Sequence, residues 1–147
     1  MAETPTNRTV RFLEKHSIQA GNVERFVRQA GPHGKRYDLF GFIDVIACYP
    51  EQIAGLQITS TSNRQSRIKK IMHDRSDEAY RFCQSGGLIE VWGWSKRKVG
   101  NRRLWTPKVA QIVQGHGRDL VLIDDINPDL FPRERPRLRP ICKNLQK

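Results

Sequence analysis

A mixed α/β fold, with a β-sheet flanked by helices in the order α-β-β-β-α-β-β, is what this chain predicts. Three observations lead there. Apolar residues recur at helical spacing near the start of the chain and again over 64–84. Runs rich in β-branched and aromatic residues occupy 37–48, 53–60, 88–94 and 103–112. The two patterns alternate along the chain instead of falling into separate halves. At 147 residues the chain has room for one ordinary domain with appendages.

Taken in order, Thr6 is a plausible helix cap, followed by Val10, Leu13 and Ile18 at roughly helical spacing up to a stop at Gly21-Asn22. On a helical wheel Glu14 falls between Val10 and Ile18, on the apolar face, where a carboxylate needs a partner or a purpose. Residues 23–28 read as a short strand, and 29–36 as a loop by their Gly and Pro content. Residues 37–48 predict a long strand, 49–52 a turn and 53–60 its return, closing a central hairpin. The stretch 59–63 offers several caps for the next helix, whose inner face is Ile68, Ile71, Met72, Ala79, Phe82 and Cys83 and which stops at Gly86-Gly87. Asp74-Arg-Ser-Asp77 breaks it into two pieces. Residues 88–94 form a strand with Trp92 and Trp94 on one face, read as core or interface. A basic turn follows at 95–101, then a strand at 103–112. From about 115 the character changes, so the domain is expected to span 1–114 and an extension 115–147. The extension is acidic over 119–129 and then alternates Arg with Pro over 131–140, a composition that makes an extended basic arm.

Charge narrows the partner. The chain carries 26 Lys and Arg against 15 Asp and Glu, a net charge of +11. Residues 1–60 hold seven basic and six acidic side chains, whereas 61–147 hold nineteen and nine. Such an imbalance is the footprint of a polyanion partner, most simply nucleic acid. Cys48, Cys83 and Cys142 are odd in number, far apart and without Cys-x-x-Cys spacing, which argues against both a disulfide scaffold and a structural zinc site. The first residues lack the apolar core of a signal peptide, and no apolar run is long enough to cross a bilayer. A cytoplasmic protein without membrane association is expected.

The central hairpin carries the chemistry. Asp44 sits in one apolar run, and Gln57 and Thr59, two apart and therefore on one face, sit in its neighbour. Phosphodiester hydrolysis needs hard oxygen ligands for one or two Mg²⁺ or Mn²⁺ ions, and a cation for developing charge. Asp44 offers a carboxylate, Gln57 an amide oxygen, the backbone near Ile58 a carbonyl, and Glu14 a second carboxylate if the first helix packs over the hairpin. The cation must come from elsewhere, because position 59 is Thr.

Asp38-Leu-Phe-Gly-Phe-Ile-Asp44-Val-Ile-Ala47, Leu56-Gln-Ile-Thr-Ser60, Arg67-Ile-Lys-Lys-Ile71 and Gly87-Leu-Ile-Glu-Val-Trp-Gly-Trp94 together resemble the PD-(D/E)XK nuclease superfamily, in particular small archaeal and phage Holliday junction resolvases. The resemblance covers roughly residues 8–112 and implies a restriction-endonuclease-like sheet, an Mg²⁺- or Mn²⁺-dependent DNA endonuclease activity and a symmetric homodimer. It matches Glu14 to the superfamily's helical Glu, Asp44 to its Asp and Gln57 to the Glu of Glu-x-Lys. Thr59 stands where that motif has Lys. Some members relocate this Lys to the following helix, so Lys69 or Lys70 can serve here. Phosphate contacts are expected from Arg64, Arg67, Lys96, Arg97, Lys98, Arg102 and Arg103.

Plainer readings stay open at this level. Glu14 can pair with Arg25 or Arg28, Asp38 with Arg36, and Arg67, Lys69 and Lys70 can be the solvated side of a helix. The same fold without catalysis, serving as a nucleic-acid-binding or assembly module, accounts for the Gln-x-Thr replacement. An unrelated structural RNA-binding protein accounts for the charge alone.

Overall fold

The computed structural model describes residues 2–131 and 133. Among these, three helices flank a six-stranded mixed sheet, and a separate two-stranded hairpin stands beside it. Helix α1, Pro5–Lys15, begins two residues earlier than Thr6 suggests: Thr4 is the cap, its Oγ1 accepting from the Asn7 N–H at 3.2 Å, with Pro5 at the first helical position. Strand β1 is Gln19–Asn22, and β2 (Arg25–Val27) pairs with β3 (Lys35–Tyr37) to form the small hairpin.

The long strand expected over 37–48 is broken. Residues 38–43 turn back on themselves, with Phe40 at φ +54 and Gly41 at φ +82, and Ile43 N–H donates to the Leu39 carbonyl at 2.9 Å. Gly41 is favoured by its positive φ, and an added Cβ would also have to displace the end of the Arg75 side chain. Only then does β4, Val45–Tyr49, start, and β5, Gln52–Ser60, returns antiparallel to it.

After a 3₁₀ turn at Thr61–Asn63 come α2 (Arg64–Lys69), a π turn at Lys70–Asp74 and α3 (Ser76–Gln84). The break falls at Arg75, inside the stretch where a break was expected. Strands β6 (Leu88–Val99) and β7 (Arg102–Gln114) are far longer than their apolar cores, because the basic segment 95–101 is no mere turn but the outer half of a two-stranded ribbon closed at Gly100. Leu120–Ile126, expected in an extension, forms β8 and pairs with β7. The sheet order is β1-β4-β5-β6-β7-β8, antiparallel throughout except for the parallel β5–β6 pair that the 61–87 crossover permits.

Both faces of the sheet are covered. Helix α1 packs Leu13 against Val45, Leu56, Ile58, Trp92 and Trp94 on one face. On the other, α2, the π turn and α3 bring Ile68, Ile71 and Ala79 onto Ile43, Ile89, Val91 and Ala110. Strand alternation therefore sends Leu56 and Ile58 to the α1 face, and Gln57 and Thr59 to the opposite one. No helix among the described residues is long and apolar enough to cross a membrane.

One buried charge pins the chain end. Glu90, fully buried, accepts from Tyr49 Oη, Trp92 Nε1 at 3.1 Å, Gln111 Nε2 at 3.1 Å and Arg133 Nε at 3.0 Å. Arg133 is itself buried and donates from Nη1 to the carbonyls of Asn127, Pro128 and Leu130. The rest of the Arg/Pro arm lies outside the described residues.

Candidate metal centre

Asp44 is the residue just before β4, next to the first register pair of β4 and β5, Val45 opposite Leu56. Its own N–H donates to the Leu56 carbonyl at 2.9 Å, so the backbone is fixed on both sides of the side chain. The carboxylate, buried, accepts through Oδ2 from Gln57 Nε2 at 2.6 Å and from the Ile58 N–H at 2.8 Å. Asp44 and Gln57 thus meet on the α2 side of the sheet, as the strand alternation requires. Thr59, also buried, follows on the same face.

Two further carboxylates arrive by a route the sequence pattern hides. Arg25 pairs with Tyr37, which leaves Glu24 and Asp38 one position below, at the foot of the β2–β3 hairpin. One oxygen from each of Glu24, Asp38 and Asp44 lies within 4.8 Å of the others. The 38–43 turn makes this possible, since a straight strand over 37–48 would carry Asp38 six residues from Asp44 along its axis.

Electrostatics follow from that crowding. The Asp44 carboxyl is raised from an ordinary 3.8 to about 8, chiefly by burial, with the neighbouring Asp38 and Glu24 charges adding to it and the Ile58 N–H opposing it. Gln57 Oε1 is buried with no hydrogen-bond donor. An orphaned buried oxygen of this kind is costly, on the order of 1–3 kcal/mol. The three carboxylates, with the unpartnered Gln57 oxygen on the side chain bonded to Asp44, offer oxygen donors of the kind a hard divalent cation takes, and its charge would offset their crowding.

A cation approaches from the helical side. Lys70 Nζ lies 3.7 Å from Asp38 Oδ2, delivered by the first residue of the π turn. Lys69 points to solvent, so of the two lysines the structure brings only Lys70 to the acids. Extra residues in a helical turn re-aim side chains, and π turns occur often at functional positions.

Other expected residues fall elsewhere. Glu14 is exposed on α1, which packs on the sheet face opposite Gln57, and it is not part of the acid cluster. Glu14 turns outward because the buried face of α1 runs through Arg8, Thr9 and Leu13, with Val10 only half-buried. Arg64, expected at phosphate, is buried under Gly93 and paired with Asp124 of β8, a structural tie between α2 and the sheet. Arg67 is half-buried on α2. Lys96, Arg97, Lys98, Arg102 and Arg103 are all exposed on the β6–β7 ribbon. That ribbon and the β2–β3 hairpin both project from the end of the sheet at which the acids lie.

Comparisons of the chain with protein-family models, with curated proteins and with solved structures return no match.

Proposed function

We propose that this chain is a metal-dependent DNA endonuclease of the PD-(D/E)XK kind, acting on double-stranded or structured DNA of the Holliday-junction type. The observation that carries the proposal is the meeting of Asp44, Asp38 and Glu24 beside the orphaned Gln57 oxygen, with Lys70 facing them. An Mg²⁺ or Mn²⁺ ion held there supplies Lewis-acid polarisation of a phosphoryl oxygen and a more acidic water. Asp44 anchors it from a position the Ile58 N–H holds still, and Asp38 and Glu24 restore the negative charge that Gln57 forgoes relative to Glu.

Lys70 takes the role that Thr59 cannot. An ammonium beside the acids stabilises the extra charge on a phosphorane-like transition state, and its ion pair with Asp38 holds it in reserve. The exposed lysines and arginines of the β6–β7 ribbon bind flanking phosphates without reading sequence.

Mn²⁺-dependent nicking of supercoiled plasmid and of a four-way junction tests the reading directly. Wild type should cut and Asp44→Asn should not; undiminished cutting by Asp44→Asn sinks the assignment. A second reading, a non-cleaving DNA-binding module on the same fold, is favoured by one observation, the Gln57 amide that occupies Asp44 Oδ2 at 2.6 Å. It is the outcome if wild type retards the junction in a gel without cutting it.

A further inference from the structure

On the face of the sheet opposite the acids, a groove runs between α1 and the root of the β6–β7 ribbon, lined by Arg8, Arg11, Phe12, Lys15, Trp94 and Trp105. Every one of these is basic or aromatic. Arg11 and Lys15 are exposed, and of the aromatic members Trp105 is the open one, 46% exposed to solvent. Its ring is held, not loose: the Arg8 guanidinium lies 3.9 Å from the ring centroid, and Lys96, directly across the ribbon, brings its Nζ to 5.3 Å. Arg8 is buried, and besides the indole its guanidinium meets Glu3, Nη2 donating to the Glu3 carbonyl at 3.1 Å, so a cation is committed to the floor of this groove.

The charge is not simply surface solubilisation. Glu3 pairs with Arg11 at 2.7 Å and lies 3.6 Å from Arg8 Nε, and among the described residues Lys15 and Lys96 have no acidic partner. Strand alternation adds Lys98 and Arg103, which share the ribbon face of Lys96 and Trp105. Cations thus track from α1 along the ribbon past an open indole.

We propose that this groove is a second nucleic-acid site, separate from the acid cluster, that takes a single-stranded segment: an unstacked base lies on Trp105 while its phosphates meet Arg11, Lys15, Lys96 and Lys98. A base is available to an indole only when it has left the duplex stack, which is why the occupant is single-stranded. An incoming phosphate takes Arg11 from Glu3 in an exchange of one anion for another.

The experiment uses a fluorescein-labelled twelve-residue oligothymidylate in EDTA, read by anisotropy, so that no cation or cleavage enters. Wild type binds, and Trp105→Ala weakens binding roughly 10-fold, the loss of one base–aromatic stack. Trp105→Phe, which keeps a ring, recovers most of it, and Arg11→Ala with Lys15→Ala weakens binding from the helix side without touching the ribbon. Because the assay holds no divalent cation and reads no cleavage, failure here is distinct from failure of the nuclease reading. Replacing thymine by 5-bromouracil and irradiating should crosslink Trp105. The proposal is overturned if Trp105→Ala binds like wild type, if a duplex of equal length competes as well as the single strand, or if polyglutamate displaces the oligonucleotide equally, which would mark an acidic protein as the occupant.

Discussion

Asp44 ties titration to stability and to cation binding. Its folded value of about 8 lies above the ordinary 3.8, so the folded protein holds a proton that the unfolded chain has already released over that range. Metal-free stability from this group is complete below about pH 4 and is lost as pH rises to about 8. Thermal melts in EDTA should therefore fall across that window, and Asp44→Asn should flatten the fall; a wild-type curve that rises there contradicts the burial argument. A divalent cation competes with the same proton, so apparent Mn²⁺ affinity by calorimetry should climb over that range and level off above about pH 8. Lys70 makes a second test at this scale. Lys70→Ala should lower Mn²⁺-dependent cleavage on the order of 100-fold, while Lys69→Ala, on a solvent-facing side chain, should stay within a few-fold of wild type.

At the scale of elements, Gly93 of β6 passes so close beneath the 3₁₀ turn that an added Cβ would meet Arg64 Cδ at 2.9 Å and Thr61 Cα at 3.1 Å. The backbone atom cannot step aside, so Gly93→Ala should destabilise by about 1–3 kcal/mol in urea titrations. The ribbon is tested by salt. Replacing Lys96, Lys98 and Arg103 with Ala should reduce the slope of log binding constant against log salt by up to about 3, if each meets one phosphate. What was legible in the chain follows the same division. The Asp44–Gln57 meeting could be read because period-two alternation in adjacent strands is local, and the helix break because Asp74 to Asp77 lacks apolar residues. Glu24 and Asp38 could not be read together: their proximity depends on a small hairpin and on a turn at Phe40-Gly41 hidden inside an aromatic run. The ribbon reads as a turn in the sequence because its residues 96–105 are exposed, which removes the apolar signal by which strands are recognised. Strand β8 was hidden likewise by acidic residues at its exposed end.

For the molecule as a whole, Arg133 couples the far end of the described chain to the core. Removing it leaves Glu90 charged, dry and short of a partner, so Arg133→Ala should lower global stability by about 3–5 kcal/mol by urea denaturation, although it lies on the sheet face away from the acids. The β2–β3 hairpin carries a different kind of coupling. Its foot holds Glu24 and Asp38 as one piece, while its tip, with Arg28 and His33, reaches into solvent. A displacement of that foot would move two oxygen donors together relative to Asp44. Were an ion held at the foot to stiffen the tip, thermodynamic reciprocity would require a polyanion seated on the tip to tighten the hold on the ion by the same factor.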